Sequence, residues 1–119
     1  MTLIYVMLGG AVGSGLRYLL AGALQQPGEG QFPYGTLAAN LIGCLAIGLL
    51  TALLSNGVQL SDSVRLGLIV GVLGGFTTFS SFGLETIQLL QEGRLGAATA
   101  YWAVSNAGGL FSVWLGLKL

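Results

Sequence analysis

Between residues 74 and 83 the chain reads Gly-Gly-Phe-Thr-Thr-Phe-Ser-Ser-Phe-Gly, so four hydroxyl side chains and three phenylalanines interleave in an otherwise apolar stretch. Phe79 and Phe82 stand three residues apart on one helical face, with Phe76 one step earlier. The edge of an aromatic ring carries positive potential, so ring edges along a dry path attract an anion without offering it a charge to stick to. Thr78, Ser81 and Glu85 form another stripe at spacings of three and four, where hydroxyls can replace part of an ion's water shell. Asn40 and Asn106 are the strong polar groups of two other apolar segments. An amide buried in hydrocarbon without partners costs several kcal/mol, so each must bond another helix or an ion, and each offers two N–H donors to an anion. Arg17 follows Gly10 and Ser14 on one stripe, and a fixed positive charge in a vestibule enriches anions there. Glu85 is either an interfacial charge near the end of its helix or a gating group. Each feature also has a plainer reading: phenylalanines facing lipid, hydroxyls bonded to their own turn, and amides gluing helices together.

The Gly74-Gly75 pair is where backbone enters the chemistry. Each Gly lowers helix propensity by about 1 kcal/mol relative to Ala, which favours a local break. A break at membrane depth requires a protein or polar-cavity environment, and the carbonyls it frees commonly make ion sites. The other reading is an unbroken helix with Gly present for packing.

The elements that must position these groups follow from charge. Of 119 residues, 54% are hydrophobic and 7% charged, against roughly 25% charged in an ordinary soluble domain. Residues 30–61, 66–84 and 95–117 carry no charge, and each can supply the roughly 20 residues needed to cross a bilayer core. The uncharged residues before Arg17, extended through Tyr18 to Leu24, supply a fourth span. The expected fold is an all-α membrane protein, one four-helix transmembrane domain over 1–119, with helices at about 3–24, 33–55, 63–91 and 95–118. Gln25 to Pro33 holds both prolines and serves as the first connection, Ser55-Asn56-Gly57 to Ser61-Asp62-Ser63 as the second, and Glu92-Gly93-Arg94 as the third. Loops this short leave no room for a water-soluble domain, and the protein is expected to be multi-pass in the cell's plasma or inner membrane.

Other classes recede on the same residues. A secretory leader begins with a basic region, and no Lys or Arg precedes Arg17. Runs such as Leu45 to Leu54 do not alternate as a membrane β-barrel requires. One cysteine, Cys44, and no histidine remove the usual transition-metal ligand sets. A basic patch for nucleic acid is missing.

If the spans alternate, Arg65 and Lys118 lie on the side of the termini and Arg94 and Arg17 towards the other. Two against two gives almost no positive-inside bias, so both orientations are expected to insert unless other features select one. Close helix packing accounts for most of the 21 glycines, with four-residue spacing at Gly9 and Gly13, at Gly35, Ala39 and Gly43, and at Gly108, Ser112 and Gly116.

Three segments together, Gly74 to Phe82, Gly9 to Tyr18 and Gly35 to Gly43, with the Tyr101-x-x-x-Ser105-Asn106 pattern near the end, resemble the Fluc (CrcB) family of microbial fluoride channels. The resemblance covers the whole chain. It implies an antiparallel, dual-topology homodimer with two narrow pores selective for fluoride, which leaves the cell passively and so reduces fluoride toxicity. It implies a broken third helix and a structural sodium ion at the dimer centre, held here by the backbone carbonyls of Gly74 and Thr77. The pore phenylalanines fall on Phe79 and Phe82, the pore asparagine on Asn40, the hydroxyl track on Ser80 and Ser81, and the pore tyrosine and serine of the last helix on Tyr101 and Ser105. Gly83 and Gly109 stand where many members have a hydroxyl. No enzyme chemistry is called for. A small proton-coupled multidrug exporter is the alternative, but it needs a titratable carboxylate deep in the membrane, for which Glu85 is the only candidate. A scaffold subunit that transports nothing is the third reading.

Overall fold

The computed structural model describes residues 1–24 and 32–119, and every regular element among them is a helix. Helix α1 is Thr2–Leu24 and α2 is Tyr34–Ser55. The third span, Asp62–Gln91, is two helices. Its first part, α3, comprises Asp62–Leu66, a π-helical stretch Gly67–Leu73 and the turn Gly74–Phe76; its second, α4, is Phe79–Gln91. The last helix, α5, comprises Leu95–Ala103, a π-helical Val104–Gly108 and Gly109–Lys118. The connection expected between α1 and α2 lies, over 25–31, outside the described residues.

Local chemistry sets the helix ends. Gly57, at a φ of 101°, takes the left-handed conformation that closes α2, and the Asn56 N–H reaches back to the carbonyls of Ala52 and Leu53. Ser61 starts α3 by accepting the Val64 N–H at 3.2 Å, with Asp62 in the first turn where the helix dipole favours it. Gly93, at a φ of 75°, turns the chain between α4 and α5.

Three segments are long and apolar enough to cross a membrane: α1, α2 and Asp62–Gln91, of 23, 22 and 30 residues. The fourth expected span, α5, is of similar length and uncharged until Lys118, but Tyr101, Trp102, Ser105 and Asn106 dilute its mean hydropathy. The longest dimension, 48 Å, covers a bilayer including its headgroup regions, about 40–45 Å. Large apolar side chains such as Leu3, Met7, Leu19, Leu110 and Trp114 face outward, while many of the buried positions are Gly or Ala. Lipid is as apolar as leucine, so burying large side chains gains little there, and close backbone contact is what joins the helices.

The contacts divide the chain into two pairs. Along α1, Gly9 and Gly13 lie against Gly67, Gly71 and Val72 of α3, close enough that a Cβ at either glycine would overlap α3 backbone. Between α2 and the end of α5, Gly48 and Gly116 meet in the same way. The third span changes partner at its break: α3 and the Gly74 turn pack on α1, whereas α4 packs on the first part of α5.

Candidate functional site

The break is confined to two residues. Thr77 (φ −89°, ψ 158°) and Thr78 (φ −152°, ψ 121°) are extended, a conformation that suits β-branched side chains. Of the two readings of the Gly74-Gly75 pair, the broken helix is the one observed, with the interruption after the glycines instead of at them. Helix α3 ends as both the N–H and the hydroxyl of Thr77 donate to the Leu73 carbonyl, each at 3.0 Å. Helix α4 begins as the Thr78 hydroxyl caps the Ser81 N–H at 3.2 Å.

Neighbouring helices take hold of the interrupted backbone. From α2, Asn40 accepts the Thr78 N–H on Oδ1 at 2.8 Å and donates from Nδ2 to the Thr78 carbonyl at 3.1 Å. From α1, Arg17 Nε donates to the Gly75 carbonyl at 3.2 Å. In an uninterrupted helix the N–H of Thr78 would serve the Gly74 carbonyl, and that of Ser81 the Thr77 carbonyl. Both donors are committed elsewhere, to Asn40 and to the Thr78 hydroxyl, so the oxygens of Gly74 and Thr77 lose their helical partners.

Beside the break runs an open groove of about 390 Å³, lined by Asn40, Gly74, Thr77, Thr78, Phe79, Phe82, Ser105 and Asn106 together with apolar Ile47, Ile69 and Leu73. The Phe79 and Phe82 rings lie 5.7 Å apart, centre to centre, as their three-residue spacing requires. Their surroundings differ sharply: Phe79 is 81% exposed and Phe82 8%. Ser105 Oγ is enclosed and has no hydrogen-bond partner among the described residues. A buried hydroxyl left so costs about 1–3 kcal/mol. Asn106 donates to the Trp102 carbonyl of its own turn at 2.8 Å.

Four remaining site candidates, Tyr101, Ser80, Ser81 and Glu85, are not among the residues that line this groove. Tyr101 is fully buried against Phe82, ring centres 5.1 Å apart, and its hydroxyl donates to Glu85 Oε1 at 2.9 Å. Ser80 is exposed, its hydroxyl 3.3 Å from that of Thr78, and Ser81 is half-buried. Glu85 Oε2 also accepts from the Thr36 hydroxyl at 3.1 Å, so one half-buried carboxyl ties α4 to α2 and α5. Sequence reasoning misses Thr36, whose signal is its place one turn before Asn40 on the same face of α2. Removing the Tyr101 hydroxyl (Tyr101→Phe) is expected to cost about 1–3 kcal/mol, and Thr36→Val in the same protein less than its effect alone, because both donors share one carboxyl. Denaturation midpoints of the two single variants and the double variant in detergent check this.

The family model described as CrcB-like protein, Camphor Resistance (CrcB), matches residues 4–117. The chain belongs to the CrcB family. Among relatives of this CrcB protein, the fluoride-specific ion channel FluC of Methylobacillus flagellatus is 48% identical over 115 residues, covering 96% of this chain and 90% of the relative. The proteins of the same name from Chloroflexus aurantiacus and Pseudomonas putida are 46% and 44% identical over 114 residues, which cover 96% of this chain and 90% and 92% of theirs. The CrcB chain is thus a multi-pass membrane protein whose broken third span stands beside a largely apolar groove that Phe79, Phe82, Asn40, Asn106 and Ser105 help to line.

Proposed function

We propose that two copies of this chain, inverted relative to one another, form a channel through which fluoride leaves the cell passively. The observation that carries this reading is the groove: Phe79, Phe82, Asn40 and Ser105 line it together beside the break, and family relatives are named fluoride-specific ion channels. A small, tightly hydrated anion needs donors in close succession that are each weak enough to release it. Neutral donors and ring edges meet both conditions, and no charged side chain lines the groove among the described residues. Fluoride that enters as neutral HF ionises inside, so a passive exit suffices.

The exposure of Phe79 supports a second copy as the missing wall of the pore. In the same reading the carbonyls of Gly74 and Thr77 from both copies hold a sodium ion at the dimer centre. Neutral backbone oxygens suit a hard monovalent cation, and the loss of their helical donors fits them to the task. A bound sodium ion supplies fixed charge that ties the two breaks together.

Purified protein in liposomes, with external fluoride followed by a selective electrode, tests the function. Rapid fluoride efflux with chloride retained is the expected result. Drug-driven proton flux would favour an exporter, and no flux of either kind a scaffold. Replacing sodium by a large organic cation is expected to weaken the dimer or its flux.

A further inference from the structure

We propose that Asn40 is a positioning residue for the cation site: its amide bridges the Thr78 backbone and so keeps the Gly74 carbonyl available. The inference rests on the sodium reading above and goes beyond Asn40 as a donor to the anion. An asparagine side chain carries the same two groups as a peptide bond, and here it pairs with Thr78 as one strand residue pairs with another, accepting at 2.8 Å and donating at 3.1 Å. In a continued helix the Thr78 N–H would bond the Gly74 oxygen one turn back, and making that bond would extend α3 through the break. Arg17 acts in parallel on the next carbonyl. By occupying the Gly75 oxygen it removes that group from competition. Two helices therefore decide which carbonyls of the third span stay open. The residue type is specific: Ser offers a single atom that cannot serve both Thr78 groups, and Leu fills the space but offers none.

The test measures sodium dependence of dimerisation, not flux. Wild-type protein and the Asn40→Leu, Asn40→Ser and Asn40→Asp variants are titrated with sodium in detergent at constant ionic strength, and dimer is quantified by chemical cross-linking. Infrared spectra with an isotope label on the Gly74 carbonyl report directly on that oxygen. In the wild type, sodium should promote the dimer and shift the labelled band. In Asn40→Leu, loss of two hydrogen bonds should raise the sodium needed by about tenfold or more and abolish the band shift. Asn40→Asp, which keeps the acceptor for the Thr78 N–H, should retain the response. Asn40→Ser carries the comparison if the leucine variant does not fold. A wild-type response that Leu or Ser leaves unchanged overturns the role of Asn40 while the sodium site stands. A wild type indifferent to sodium overturns the cation reading of Gly74 and Thr77, and this inference with it.

Discussion

Alanine at Gly13 and alanine at Gly15 are expected to move stability in opposite directions. Both lie in the middle of α1, where Gly to Ala gains up to about 1 kcal/mol of helix propensity. A Cβ at Gly15 meets no atom within 4 Å, so that gain is kept. At Gly13 it would lie 2.9 Å from the Phe76 backbone nitrogen and closer still to the Val72 carbonyl. Backbone cannot rotate out of the way as a side chain can, so α1 and α3 must separate along their length. Overpacking of this kind costs about 1–3 kcal/mol, and Gly13→Val should exceed it. Since α3 carries the break and Arg17 reaches it from α1, the loss should propagate to the ion path. Unfolding midpoints in detergent for Gly13→Ala, Gly15→Ala and Gly13→Val give the comparison, and equal shifts for the two alanine variants would sink the close-packing account.

The second large effect belongs to the phenylalanines. Phe79→Ile should slow fluoride efflux from liposomes by about tenfold or more, roughly 1.4 kcal/mol in barrier, while unfolding is little changed, because Phe79 is largely exposed on the single chain. Phe82→Ile should slow efflux comparably and also lower stability, since the Phe82 ring packs on Tyr101. The contrast separates a role in the ion path from a role in packing. Flux unchanged in Phe79→Ile, with the dimer retained, would place that ring outside the pore.

Much of this was legible in sequence because it depends on neighbours along the chain. Charge-free length marks the spans, since the cost of burying a charge in hydrocarbon is set by the residue itself. The spacing of Phe79 and Phe82 placed their rings side by side, and Gly74-Gly75 marked the region of the break. The position of the break was less legible: two threonines are extended, and the glycines remain in the last turn of α3. Thr77 and Thr78 close one helix and open the next with their own hydroxyls, which competes well with continued helix only once other helices satisfy the backbone.

Membership of the CrcB family was recognisable from three motifs in order, and the helical membrane class from composition alone. What only the tertiary structure decided is the direction of each polar group. Asn40 meets Thr78 across 38 residues, Arg17 meets Gly75 across 58, and Thr36 meets Glu85 across 49. A hydrogen bond holds over about 3 Å and a narrow angle, so helix packing, not chain order, determines which carbonyl is claimed and which is left open.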